Sequence, residues 1–153
     1  MALPTILSDN RFLDGIPTPT NTAAGYDVLN IRDYRTYTAW RAASAGTRYI
    51  TVDCGTAKSA DCLGIISHNL ATAACTVSVQ SSPDNSTWTT RLTGFVPSTD
   101  KAVFKTFTSY SARYWRIKLV TASVAPQLAV VMLGVRLTFP YPADAPMVPY
   151  SEV

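Results

Sequence analysis

Apolar and polar residues alternate one by one over several stretches of this chain, and a period of two predicts strands rather than helices. Tyr49 to Cys54 alternates strictly, with Ile50, Val52 and Cys54 on one face and Tyr49, Thr51 and Asp53 on the other. Tyr114 to Val120 repeats the pattern, setting Trp115, Ile117 and Leu119 against Tyr114, Arg116 and Lys118. Thr76 to Gln80 turns Val77 and Val79 inward, and Val103 to Phe107 adds a further strand. Leu63-Gly64-Ile65-Ile66 is a nearly continuous apolar run, as a strand covered on both faces requires. Leu128 to Phe139 is apolar enough to imitate a helix, but Val130, Val131, Val135 and Thr138 favour a strand. Turn chemistry at Pro83-Asp84-Asn85-Ser86 joins the strand at Thr76 to Trp88. Roughly eight strands with turns at sandwich spacing predict an all-β domain, a single antiparallel β-sandwich.

The flanks follow a different pattern. Residues 1–33 are rich in Thr, Asn, Asp, Gly and Pro, and Gly15-Ile16-Pro17-Thr18-Pro19 forbids a helix there. Spaced apolar anchors, Ile6-Leu7, Phe12-Leu13 and Tyr26 to Ile31, predict a segment lying on the sandwich or on a neighbour. Residues 34–139 hold the strands. Residues 140–153 repeat Pro among Tyr141, Met147, Val148 and Tyr150, which predicts an extended arm; a frayed end is the alternative. As assembly arms, the two ends would offer Phe12, Tyr26, Tyr141, Met147 and Tyr150 as handholds.

Composition narrows the function classes. With 153 residues, 47% of them hydrophobic and only 15% charged, the chain can bury a full core and is not disordered. The net charge of +3 is spread without a basic run, so nucleic acid is not an expected partner. Neither a secretory leader nor a membrane-length apolar stretch is read in the sequence, so synthesis in a reducing cytoplasm is expected. Cys54, Cys62 and Cys75 fit no metal spacing and read as reduced thiols. His68 lacks a Gly-x-Ser-x-Gly nucleophile, paired carboxylates or a phosphate loop, and reads as a turn residue bonded to backbone. No enzyme and no cofactor are expected.

Four motifs in order resemble the discoidin family, the galactose-binding-like jelly-roll sandwich also found in coagulation-factor C domains and in many carbohydrate-binding modules. They are Asn30-Ile31-Arg32-Asp33 with Thr38-Ala39-Trp40, then Tyr49 to Gly55, then Val77 to Trp88, and then Ala112 to Ile117. Cys54 stands where the family carries Leu. The layout of the whole chain is similar to small discoidin-like structural proteins of tailed bacteriophages. The likeness is carried by Ile6 to Phe12, Gly25-Tyr26-Asp27-Val28 and Leu133 to Phe139.

That resemblance implies a non-enzymatic virion structural protein, tail-associated, made in the host cytoplasm, present in many copies or as a homo-oligomer, and contacting other virion proteins. The alternative it implies is a carbohydrate-binding module for a host-surface glycan. For the glycan, Tyr34, Tyr37 and Trp40 are the candidate aromatic platforms, with Arg35 and Arg41 as donors. Trp40 also suits the core beside Trp115, with Trp88 sealing an edge. Sugar-binding relatives hold a structural calcium, for which Asp33 could supply one oxygen with Thr36 nearby. Tyr34 and Arg35 replace the family's Gly and Asp, and Leu133 and Gly134 stand where it has a late Glu, so no metal is expected. A membrane-binding role needs apolar loop tips that the sequence does not offer.

Overall fold

The computed structural model describes residues 5–139; Tyr141, Met147 and Tyr150 lie outside the described residues. The strands are β1 (Thr5–Ser8), β2 (Thr18–Pro19), β3 (Trp40–Arg41), β4 (Gly46–His68), β5 (Thr76–Ser82), β6 (Thr89–Phe95), β7 (Val103–Thr121) and β8 (Gln127–Thr138). Short 3-10 helices at Arg11–Leu13 and Val28–Arg32 are the helical elements of the described residues. Every pairing is antiparallel, in the order β1–β8–β4–β7–β5–β6, with β2 on β4 and β3 on β8.

Two strands run through both layers of the sandwich. Gly46 to Asp53 pairs with Tyr114 to Thr121, and Lys58 to Ile65 pairs with Val103 to Ala112. Register shifts between Asp53 and Lys58 and between Ala60 and Cys62 mark the bend, where Gly55 takes φ +72°. The expected strands at Tyr49 and Leu63 are therefore one continuous strand, as are those at Val103 and Tyr114. Alternation predicts which face a residue takes, but it does not reveal a strand that turns a corner without a loop. One layer is thus β2, the first half of β4, the second half of β7, β5 and β6. The other is β1, β3, β8 and the remaining halves of β4 and β7.

The core sits between them. Ile50, Val52, Val77, Val79, Trp115, Ile117 and Leu119 are all buried, which are the inward faces the alternation predicts. Trp115 Nε1 donates to the carbonyls of Lys58 and Ala112, so its buried polar atom is satisfied. Cys54, Cys62 and Cys75 are buried free thiols; burial pushes Cys62 up to about 12 and the other two up to about 11. None is poised as a thiolate nucleophile.

The N-terminal segment is built into this core. Phe12 and Ile31 are fully buried within it. Asn10 Nδ2 donates to Val131 O, and its Oδ1 accepts from the N–H groups of Phe12 and Leu133. Phe12 is therefore not a handhold for a neighbour, contrary to the sequence expectation. A single apolar residue among turn formers looked like an anchor on an arm, yet the buried Asn10 bonds hold it in the interior. Tyr26 is partly buried, with Arg41 Cζ 5.9 Å from its ring centroid.

Candidate functional site

Strand register sets the outward rows of the first layer. Thr18, Thr51, Arg116 and Gln80 fall on one row across β2, β4, β7 and β5. The adjacent row carries Asp53, Tyr114 and Ser82. Thr18, Thr51, Arg116, Asp53 and Tyr114 of these rows line an open groove of about 480 Å³ together with Ile16, Pro19, Thr20, Tyr49 and Asn85.

Its walls are held in place by specific contacts. Gly15 lies so close to β4 that a Cβ there would sit 2.2 Å from Asp53 O; only glycine lets the Gly15–Thr20 wall approach. Arg32 Nη1 pins that wall through the carbonyls of Phe12 and Gly15, at 3.2 and 2.9 Å. The opposite wall is the turn after β5. There the Asp84 carboxylate accepts from the Ser86 and Thr87 N–H groups and from the Ser82 hydroxyl. Asn85, at the tip, takes φ +60°, a conformation that Asn tolerates well. Hydrogen bonds from Thr87 and Ser86 and from the Ser82 hydroxyl push the Asp84 carboxyl well below the usual carboxylate range.

On the floor, Asp53 forms a two-pronged ion pair with Arg113, Nε to Oδ1 and Nη2 to Oδ2, both at 2.8 Å. That pair, helped by the Gly55 N–H, lowers the Asp53 carboxyl to about 2, so it stays ionised and neutralised. Beside it, Arg116 Cζ lies 4.2 Å from the Tyr49 ring centroid and 3.8 Å from that of Trp88. Tyr49 comes from β4, the neighbour of β7, and Trp88 from the residue just before β6, on the other side of β5. Its Nε donates to Gln80 Oε1 at 2.8 Å. Trp88, expected to seal an edge, is thus half-buried against Arg116.

The residues singled out in the sequence lie elsewhere. Tyr34 and Tyr37 project from the loop between Asp33 and Trp40, 51% and 81% exposed, with Tyr34 at φ +60°. Arg35 and Arg41 are exposed; Arg35 donates its backbone N–H to Asp33 Oδ1. This loop is tied through Thr36 O to Ser67 at the end of β4, which the register places at the other end of the sandwich from Asp53. Trp40 does not join the exposed tyrosines. It is fully buried, with Nε1 donating to Thr22 Oγ1, and cannot stack on a ligand, because β3 pairs with β8 at Leu128 over the core. In the same loop Asp33 is committed locally: Oδ1 accepts the Arg35 N–H and Oδ2 the Thr38 hydroxyl, both at 2.8 Å. Among the described residues no group of three or more His, Cys, Asp or Glu could hold a metal.

Sequence reasoning passed over Tyr49, Asp53, Trp88, Tyr114 and Arg116, reading them as framework. The signal was present in the outward sets Tyr49-Thr51-Asp53 and Tyr114-Arg116-Lys118, where aromatic and charged residues alternate. Only the register shows that these sets adjoin. The arrangement can lay an aromatic face under an apolar surface while fixed donors and acceptors orient hydroxyl or carboxyl groups.

No family model and no curated protein matches the chain. Solved structures do. Chitosan-binding module 1 of a chitosanase/glucanase from Paenibacillus sp. IK-5 superimposes with a TM-score of 0.67 at 21% identity, covering 82% of this chain and 98% of that one. The CBM32 module of AlyQ, in complex with 4,5-unsaturated mannuronic acid, gives 0.66 at 22% identity over 84% and 97%. A Clostridium perfringens CBM32 module in complex with GalNAc-β-1,3-galactose gives 0.69 at 14% identity over 83% and 99%. The fold is that of these carbohydrate-binding β-sandwiches.

Proposed function

We propose that this protein is a non-catalytic carbohydrate-binding module that takes a saccharide in the groove across the outer face of β2, β4 and β7, beside the turn after β5. One observation carries the reading. Tyr49, Tyr114, Asp53, Arg116 and Asn85 converge on a single open groove, with Asp53 held by a fixed ion pair and Arg116 by Gln80. A sugar presents apolar C–H faces ringed by hydroxyls. Tyrosine rings beside preset polar groups complement that surface at little ordering cost. Solved modules of the same fold whose ligands include mannuronic acid and GalNAc-galactose support the class of ligand.

The test is a glycan array followed by calorimetry with the purified protein. Binding to at least one saccharide class, lost on Tyr114→Ala with the melting temperature kept, is the expected result. Absence of binding to every saccharide at high protein concentration overturns the reading.

A second site for the glycan is favoured by the exposure of Tyr37, with Tyr34 and Arg35 beside it on the loop before β3. Loss of binding on Tyr37→Ala, with Tyr114→Ala neutral, would place the ligand there. As to where the module works, the resemblance to bacteriophage structural proteins supports a virion-borne copy, tail-associated, meeting host glycan. In that setting residues 140–153 would contact other virion proteins. Sedimentation with purified particles tests that context, and its presence only in the soluble lysate fraction would refute it.

A further inference from the structure

We infer that the groove is built for an acidic saccharide, one whose carboxylate is received by Arg116; the inference rests on the groove being the glycan site. Arg116 is half-buried on the groove floor, over two rings, with Nε committed to Gln80. Among the described residues its terminal nitrogens donate to nothing, although the guanidinium is in contact with two rings and held by a hydrogen bond. An arginine held this rigidly has already lost its rotamer freedom. A forked carboxylate can therefore bind it without the ordering cost that a surface arginine would incur.

The surrounding charges point the same way. Lys118 extends the same outward row of β7, two residues on. The acidic groups nearby are both accounted for: Asp53 is neutralised by Arg113, and Asp84 is turned into the N–H groups and hydroxyl of its own turn. The unbalanced charge of the groove is positive. A neutral sugar would use the Tyr114 ring, but it would leave the guanidinium fork with only water and hydroxyls.

The experiment compares a tetramer of galacturonic acid, and separately one of mannuronic acid, with the corresponding carboxyl-reduced neutral oligomers, by calorimetry at low and moderate salt. At least one acidic oligomer should bind about tenfold or more tightly than its neutral form, and salt should narrow the gap. Arg116→Gln should abolish the preference, Arg116→Lys should keep part of it, and both should retain the parent melting temperature. Equal binding of acidic and neutral forms overturns the carboxylate inference and leaves the glycan reading standing. Binding of neither form by the folded parent overturns the carboxylate inference; if the array is also blank, the glycan reading falls with it. A preference that survives Arg116→Gln overturns the assignment to this residue.

Discussion

From the second half of β7, Trp115, Ile117 and Leu119 point inward and are fully buried, whereas Tyr114, Arg116 and Lys118 point outward and keep part of their surface in water. The two sets differ by one step along a single strand. The inward set is what any sandwich needs: apolar volume, with the one polar atom, Trp115 Nε1, satisfied by two carbonyls. Solvation alone would be met outward by Thr, Ser or Lys, as it is at Thr89 and Thr90 on β6. Tyr and Arg there, facing Tyr49, Asp53 and Trp88, add chemistry that folding does not require. The comparison separates stability, carried inward, from the recognition proposed for the outward face.

That separation can be broken by mutation, most forcefully at Trp115. Trp115→Ala should cost about 3–5 kcal/mol of folding stability in denaturant titration, because it opens a cavity between the layers. A variant as stable as the parent would mean that the inward face is not the core. Gly15→Ala lies between the two roles. Its new Cβ must clear Asp53 O, so wall and strand have to separate, and both stability and saccharide affinity should fall. A silent Gly15→Ala would show that the wall is free to move. Outward, Tyr114→Ala should weaken saccharide binding about tenfold, roughly 1.4 kcal/mol, while the melting temperature stays close to the parent's. Equal damage to both would merge the two roles.

Protonation sharpens the same contrast. His68 is buried, its Nε2 2.8 Å from Lys101 O and its Nδ1 accepting the Leu70 N–H. Burial lowers its folded pKa below 6.5, against the pull of the Lys101 carbonyl and of Asp100. The unfolded chain therefore binds the proton first. The stability contributed by the neutral ring is complete above about pH 6.5 and is lost as pH falls through the lower folded pKa. The melting temperature should drop over that window, by about 2–4 °C for each kcal/mol lost, and His68→Gln should flatten the trend. Asp53, at about 2, does not titrate there, so groove affinity should stay level across roughly pH 5.5 to 8, where a saccharide carboxyl is also fully ionised. The smallest expected effect is that of Tyr37→Ala, less than about twofold in affinity. A large effect would move recognition to the loop before β3.

The fold was legible because a period of two is a local property: the inward faces at Ile50, Val77 and Trp115 follow from neighbours in sequence. What alternation missed was long-range. The continuity of β4 depends on a bend at Gly55 that pairing, not pattern, reveals. The burial of Phe12 depends on Asn10 reaching β8, 121 residues away in the chain. The groove was not legible for a related reason. Tyr34 and Tyr37 stand close in sequence and are conspicuous, whereas Tyr49, Trp88 and Arg116 meet only once the strand order β4–β7–β5–β6 is known. Trp40 read equally well as platform or core until β3 was seen lying over the interior.

The most direct test of groove recognition is a pair of nitrogen-15 chemical-shift titrations of the full chain, one with the galacturonic acid tetramer and one with the mannuronic acid tetramer. The account predicts that the amides of Thr18, Thr51, Asp53, Asn85 and Arg116 shift together with one affinity, while those of residues 33–41 stay still. Shifts confined to 33–41, or a folded protein whose spectrum does not change with either tetramer at saturation, would contradict it.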